Sequence, residues 1–528
     1  MKKEFNDTGH CVANRHYMVD ITNRIESIIA LIKNEKYFAI NRPRQFGKTT
    51  LLSCLAKQVN HMDNYLALNI SFEEIDSDTY SKQEYFIHIF LDMLAREFQY
   101  LNHPKLFAFV EKNMDSIKRM PDLSKFITEL IRDMMPGKSL ILLIDEVDKS
   151  GNNQLFLDFL GMLRHKFLKR NEGRDFTFQS VILAGVHDVK NMKGKIRSDD
   201  EQKFNSPWNI AIDFTIDLSF SVNDIKNMLN NYAQDKNISP DITGIAEKIY
   251  YYTSGYPYLV SKLCKFIDEQ IMPKNETLNW SVNDVDTAVQ LMVSERYSTT
   301  LFDSLAKYLE TNQKLYDLIA RISIDGAIFP FTITNPVINI GHLYGFLSAS
   351  DAGYCQIHNR IFEQRIYSHI MSNLIQSVNN QVSGFSGPEY YTTERLDINL
   401  ILNRFQLFMK EHSAQKDEKF LEREGRLLFL SFLRPIINGR GFEFKEPNVS
   451  HERRMDIVIT YLNHRYVIEL KIWRGIKYHQ EGLKQLSDYL DIYSLKQGAL
   501  LIFNFNKNKE YKQENIVIDD KKVYTVWV

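Results

Sequence analysis

Five aliphatic residues in a row, Leu140 to Ile144, run straight into Asp145 and Glu146 and constrain the fold more than any other segment of the chain. The run leaves no polar face and is short for a helix. It is what a central strand of a parallel sheet requires, where helices cover both faces. Its acidic end lies where such sheets collect ligands, at the carboxyl ends of the strands. Residues 35–41 (EKYFAIN), 65–71 (YLALNIS) and 180–186 (SVILAGV) read as further strands, with another expected around 211–218. Helical spacing fills the intervals, at about 82–101, 103–135 and 152–170. Strands alternating with helices predict a parallel α/β sheet.

The first strand is followed by Arg42-Pro43-Arg44-Gln45-Phe46-Gly47-Lys48-Thr49-Thr50 and then by helical spacing. The phosphate-loop pattern is G-x-x-x-x-G-K-[ST], and only its first glycine, here Arg42, departs. Gly47 would let backbone N–H groups turn toward phosphates at a helix N-terminus. Lys48 would reach the β- and γ-phosphates of ATP, and the Thr49 hydroxyl would bind Mg²⁺. Asp145 would hold the same ion through water, and Glu146 would polarise the attacking water.

At Ser221 the pattern changes. Ser221-Val-Asn-Asp224 is a capping box with Asp for the usual Glu, and it opens a helical stretch to about 295. Residues 296–375 read as a small helical unit with a short β wing, 376–400 as a linker rich in Ser, Gly and Asn, and 401–528 as a new α/β domain. The division is thus 1–220, 221–295, 296–375, 376–400 and 401–528. A formal net charge of -1 excludes sequence-wide basic coating of nucleic acid, so any such contact needs a local patch. Four scattered cysteines read as reduced thiols. With no signal peptide and no apolar run of membrane-spanning length, no membrane partner is expected and a cytoplasmic setting is.

AINRPRQFGKTT, LLIDEVD, LAGVHDV, NSPWNIA and YTSGYPYLVSKLC together resemble the bacterial AAA-like ATPases, relatives of the archaeal-type ATPases and the STAND signalling group, over about residues 8–375. Arginine for the first loop glycine is a habit of that family. The resemblance implies a γ-phosphate sensor at His187 or Asp188 and a winged-helix unit after the lid. It also implies that Gly255-Tyr256-Pro257 packs on the nucleotide base. By spacing alone that segment is a helix–helix turn. No residue is assigned as a trans-acting arginine finger; Arg44 and Arg164 are two arginines that could serve. Action as a monomer or as a homo-oligomer stays open.

A second chemistry lies near the carboxyl end. Asp456, Val458 and Thr460 share one face of a strand, as do Val467, Glu469 and Lys471 of the next. With Asn463-His464 as a two-residue turn, 456 would lie across from 471 and 458 across from 469. Asp456, Glu469 and Lys471 then cluster. Two carboxylates can hold Mg²⁺, which activates water for attack on phosphorus, while the ammonium stabilises developing negative charge. A helix with Glu422 and Glu424 near its start precedes this hairpin; a helix with Gln485 and Tyr489 four apart follows it. The order resembles the PD-(D/E)XK, or restriction-endonuclease-like, fold over about 401–528, with Met455 in place of the motif's proline. The resemblance implies that Asp456 and Glu469 are metal ligands, Lys471 the catalytic lysine, Glu424 (or Glu422) the helix carboxylate, and Gln485 a support of the site or a contact to the phosphate backbone. Lys445, Arg453, Arg454, Lys477 and Lys484 could supply phosphate contacts.

The expectation is an α/β multidomain protein in which an ATP-binding switch or motor controls a Mg²⁺-dependent nuclease, with Mn²⁺ as a substitute ion and DNA as the expected partner. By family analogy alone the role is defence against foreign nucleic acid. The alternative is an ATP-dependent signalling switch whose nuclease-like domain binds partners or nucleic acid without cleaving.

Overall fold

The computed structural model describes residues 3–528 except 77, 151–152, 187–207, 275–278, 294–298, 324–326, 379–394, 413–421, 438–440, 445–455, 462–463, 474, 493 and 505–509. It divides into two compact units, one of Met1–Met292 with Asn339–Phe346, the other of Val293–Ile338 with Leu347–Val528.

The first unit opens with α1 (Thr22–Lys33), β1 (Phe38–Asn41), α2 (Lys48–Asn60), β2 (Tyr65–Ser71), α3 (Gln83–Tyr100), α4 (Pro104–Met114) and α5 (Met120–Met134). It continues with β3 (Ser139–Asp145), α6 (Gln154–Asn171), β4 (Ser180–Gly185), α7 (Val222–Lys236), α8 (Ile242–Thr253), α9 (Pro257–Phe266) and α10 (Val282–Val293). Its sheet has the order β1-β4-β3-β2 and every pairing is parallel. The register sets Asn41 beside Gly185, and Asp145 beside Ser71, so the loops after β1, β3 and β4 leave from one edge. Leu140, Leu142 and Ile144 point into an apolar cluster that takes in α3 to α6. Ile141 and Leu143 are equally buried on the other face, as an all-apolar run demands.

Two expectations need correction. The helix foreseen over 103–135 is two helices, because the chain leaves α4 at Asp115 and restarts at Met120, where Pro121 suits a first turn. The strand foreseen at 211–218 is reduced to one parallel bridge, Phe38 to Ile212. Beyond it, Arg42 takes hold of the segment through its guanidinium (Nη2 to Ile216 O, 2.9 Å). The capping box of α7 is present: Ser221 Oγ accepts from Asp224 N (3.1 Å) and Asp224 Oδ2 accepts from Ser221 N (2.8 Å). Arg24 of α1 pairs with the same carboxylate at 2.7 Å.

In the second unit, α11 (Thr300–Thr311), α12 (Gln313–Ser323) and α13 (Pro336–Leu343, shared in sequence with the first unit) precede a two-stranded wing, β5 (Leu347–Ala349) and β6 (Cys355–Ile357). Then come α14 (Arg360–Val378), α15 (Ile398–His412), α16 (Glu422–Ile437), β7 (Gly441–Phe444), β8 (Asp456–Tyr461) and β9 (His464–Ile472). The chain ends with α17 (Ile476–Ile492), β10 (Gln497–Phe503), β11 (Gln513–Ile518) and β12 (Lys521–Trp527). The six-stranded sheet has the order β11-β12-β10-β9-β8-β7, parallel across β12-β10-β9 and antiparallel elsewhere. Leu483, Leu486 and Leu490 of α17 pack on the face that carries Val467, Leu500 and Ile502. On the other face α16 comes so close at Gly425 that a Cβ there would lie 2.9 Å from the Phe503 ring.

Candidate functional site

The loop from Arg42 to Gly47 is held from several sides. Gly47, at φ +82°, is in the left-handed region that glycine enters without strain, and Gln45 enters it at +56°. Arg42 does not, which is why the motif's first glycine is dispensable here. The Arg42 guanidinium instead bonds Asn41 O and Ile216 O at 2.9 Å each and lies 5.4 Å from the Phe214 ring centroid. Burial lowers its pKa. Lys48 is buried, and its Nζ donates to the carbonyls of Arg42 and Pro43, both at 2.9 Å. Burial pulls the ammonium's pKa down, opposed by the charges of Asp148, Glu146 and Asp145. Thr49 Oγ1 donates to Asp145 Oδ2 at 2.6 Å, so the two groups assigned to one ion touch across 96 residues of sequence. Glu146 follows at φ +54°, its N–H on Asp145 Oδ1 at 2.9 Å. Burial raises its pKa, with Lys48 opposing.

Gly255-Tyr256-Pro257 proves to be both a turn and a wall. Gly255, at φ +71°, joins α8 to α9 so tightly that a Cβ would sit 2.0 Å from Phe220 O. Pro257 opens α9 and lines a cavity together with Phe46, Gly47 and Thr50. The buried Tyr256 gives its hydroxyl proton to Arg44 O and stands edge-on to Phe46, ring centroids 4.8 Å apart. An amino-terminal strap, Asn6 to Cys11, lines the same cavity. Cys11 N donates to Thr50 Oγ1 (3.0 Å), and Asp7 bonds Lys262 (2.6 Å) and Lys265 (2.7 Å) of α9. His187 and Asp188 lie outside the described residues.

The hairpin in the second unit pairs Asp456 with Glu469 and Tyr461 with His464. The expected register is therefore corrected by two residues: 461 pairs with 464, and 456 faces 469 instead of 471. Moving a two-residue turn by one position shifts the pairing by two, so the face assignment survives, and Asp456 and Glu469 become directly opposed. Glu469 is fully buried. Lys471 Nζ lies 2.8 Å from its Oε1 in an ion pair, yet neither carboxylate oxygen has a well-formed hydrogen bond among the described residues. The same ammonium donates to Gln485 Oε1 of α17 at 2.8 Å. Gly482 makes room for it: a Cβ there would lie 3.2 Å from Lys471 Cγ. Tyr489 is buried in the core beneath α17, while Lys477 and Lys484 are exposed. The side chains of Glu422, Glu424 and Asp456 lie outside the described residues, as do Lys445, Arg453 and Arg454. A buried carboxylate that accepts almost no hydrogen bonds, opposed by a second acid, is a donor set that a hard divalent cation fits.

The AAA-like domain family matches residues 13–322, more than half of the chain. The chain belongs to the AAA-like family. Behind its AAA-like domain, residues 441–514 match the PD-(D/E)XK nuclease superfamily. Several solved structures are similar to the AAA-like protein at low identity. The Walker-type ATPase PABY2304 of Pyrococcus abyssi is 11% identical, covering 69% of this chain and 99% of its own at a TM-score of 0.46. The ORC2 protein of Aeropyrum pernix, in ADPNP–ADP complexes, is 12% identical, covering 71% and 97% at 0.39. The RuvB Holliday junction branch migration motor of Thermotoga maritima is 13% identical, covering 64% and 92% at 0.32. No curated protein matches the chain. No helix among the described residues is long and apolar enough to cross a membrane.

Sequence reasoning missed three contributors. Tyr256 sits inside the recognised G-Y-P segment, but its bond to Arg44 joins residues 212 apart. The strap residues Asp7 and Cys11 carry no motif. Gly482 shows only as the one small residue one turn before Gln485.

Proposed function

We propose that the protein is an ATP-binding, ATP-hydrolysing switch or motor that governs a divalent-metal-dependent nuclease acting on DNA. The observation that carries the nuclease half is Glu469, a buried carboxylate opposed to Asp456 and touched by Lys471, with no other described partner. Mg²⁺, or Mn²⁺ in its place, would be held by Asp456 and Glu469, and when bound it supplies a Lewis acid and a water of lowered pKa. Lys471, aimed by Gln485 and by the space over Gly482, presents its ammonium to negative charge developing on phosphorus-bound oxygen. Glu424, or Glu422, is the proposed helix carboxylate of this site.

In the AAA-like core, the amides of residues 42–50 and Lys48 would cradle the phosphates, and Thr49 with Asp145 would hold the ion. Pro257 and the strap would bound the base. Glu146 would take the proton of the attacking water, for which its carboxylate must be ionised. A cytoplasmic setting and a defence role belong to the same reading.

The test is cleavage of plasmid and single-stranded DNA by the purified chain in Mg²⁺ or Mn²⁺, with and without ATP. Cutting that disappears with Lys471→Ala and changes with Lys48→Ala is the expected result. Cutting that persists in Lys471→Ala would show that the site is misassigned. No cutting of DNA or RNA under any nucleotide condition would favour a non-cleaving switch.

A further inference from the structure

The acidic end of β3 carries a third carboxylate, Asp148, on the short 3₁₀ turn Val147–Ser150. Its Oδ2 accepts a hydrogen bond from Val186 N at 2.6 Å. Gly185 admits it, since a Cβ at that position would come within 2.7 Å of Asp148 Oδ1. The peptide group between Gly185 and Val186 is used on its other side too. The Gly185 carbonyl accepts from Arg42 N at 3.1 Å, and the Arg42 carbonyl accepts from Lys48 Nζ at 2.9 Å. One peptide plane at the end of β4 thus joins the phosphate loop to the turn that follows Glu146.

Glu146 is held in the left-handed region at φ +54°, where a non-glycine residue costs about 1–3 kcal/mol and persists only when its surroundings fix it. On its amino side the fix is the Asp145 carboxylate, which accepts Glu146 N. On its carboxyl side a polar tie runs from Asp148 to Val186, beside the buried Val147. We infer that Asp148 is a positioning residue for ATP hydrolysis, locking the Glu146 backbone against the phosphate loop through the Gly185–Val186 peptide. The inference rests on the proposed hydrolytic reading of this site. Of the three acids, Asp148 also gives the largest charge support to the protonated form of Lys48.

The experiment measures ATP turnover, KM and the affinity of a fluorescent ATP analogue for the full chain and for Glu146→Gln, Asp148→Ala, Asp148→Asn and Gly185→Ala. Loss of turnover with binding retained in Glu146→Gln establishes the hydrolytic reading itself. Asp148→Ala is then expected to lower kcat by about 10- to 100-fold, the range a sub-ångström to 1 Å misplacement costs, with KM little changed. Asp148→Asn keeps a side-chain carbonyl for Val186 N and should recover most of that loss. Gly185→Ala, which displaces the carboxylate, should resemble Asp148→Ala. Wild-type kcat in Asp148→Ala would overturn the inference, as would an Asp148→Asn variant no better than Asp148→Ala, since the charge and not the tie would then matter. Amide hydrogen exchange reads the tie without turnover. Faster exchange at 145–150 and at Val186 in Asp148→Ala but not in Asp148→Asn is expected, and unchanged exchange in both would refute the tie even if the chain hydrolyses nothing.

Discussion

Replacing Glu469 with Gln separates a structural carboxylate from one kept for a metal. At 2.8 Å from Lys471 Nζ, the attraction is about 6 kcal/mol at an effective dielectric of about 20. Against it stands the second acid in register, Asp456. Like charges directly opposite one another on a ladder are destabilising. Taking a carboxylate fully out of water costs several kcal/mol more. The ionised Glu469 is therefore a net burden in chelator. Lys471 keeps Gln485 and some solvent when its partner becomes neutral. Glu469→Gln should thus be more stable than wild type in EDTA by about 1–2 kcal/mol, a few degrees in the midpoint of the transition that carries the second unit. In Mn²⁺ at about 100 times its dissociation constant, wild type should gain about 2.7 kcal/mol and the variant little, so the order reverses. Calorimetric scans in EDTA and in Mn²⁺ measure both. A variant less stable than wild type in EDTA by 2 kcal/mol or more would show that the Lys471 pair dominates, and would remove the main support for a metal site.

Three more outcomes follow from the first unit. Because burial raises the Glu146 pKa and hydrolysis needs its ionised form, the acid limb of the kcat profile should lie above the usual glutamate range near 4.3; a limb at or below that value would speak against Glu146 as the base. Burial alone would raise Asp7, but the bonds and charges of Lys262 and Lys265 outweigh it and hold its pKa low. The stability Asp7 adds is present above the ordinary aspartate value near 3.9 and is lost as pH falls through the depressed native value. Asp7→Asn should cost about 2 kcal/mol at neutral pH and flatten that acid dependence in urea titrations. Gly255→Ala, with a positive φ and a Cβ 2.0 Å from Phe220 O, should cost about 3 kcal/mol or more, read as a lowered Tm or loss of soluble protein.

Most of the frame was legible because its signals are local. The Leu140–Ile144 run could only be a covered strand, and Gly47-Lys48-Thr49 stands at a strand-to-helix junction. The hairpin register was less legible, since Asn463 suits a turn in either of two neighbouring frames; the side-chain period of two preserved the shared face regardless. The 211–218 stretch has strand composition, yet Phe214 stacks on Phe38 and Arg42 takes the Ile216 carbonyl, so pairing stops at a single bridge. Tyr256 to Arg44, Asp7 to Lys262 and Asp148 to Val186 were illegible for one reason: each joins segments that only the tertiary fold brings together.

The return of Asn339–Phe346 to the first unit bears on how the chain can be cut. Those residues follow the departure at Val293, and Gly345 among them rests against Pro43 and Tyr256, where a Cβ would lie 2.8 Å from the proline ring. A stop codon after Met292 would therefore leave the underside of the phosphate loop bare. A fragment meant to carry nucleotide binding has to run to Phe346. A protease nick between 293 and 338, by contrast, would leave every piece of the first unit in the tube, held together without a peptide bond.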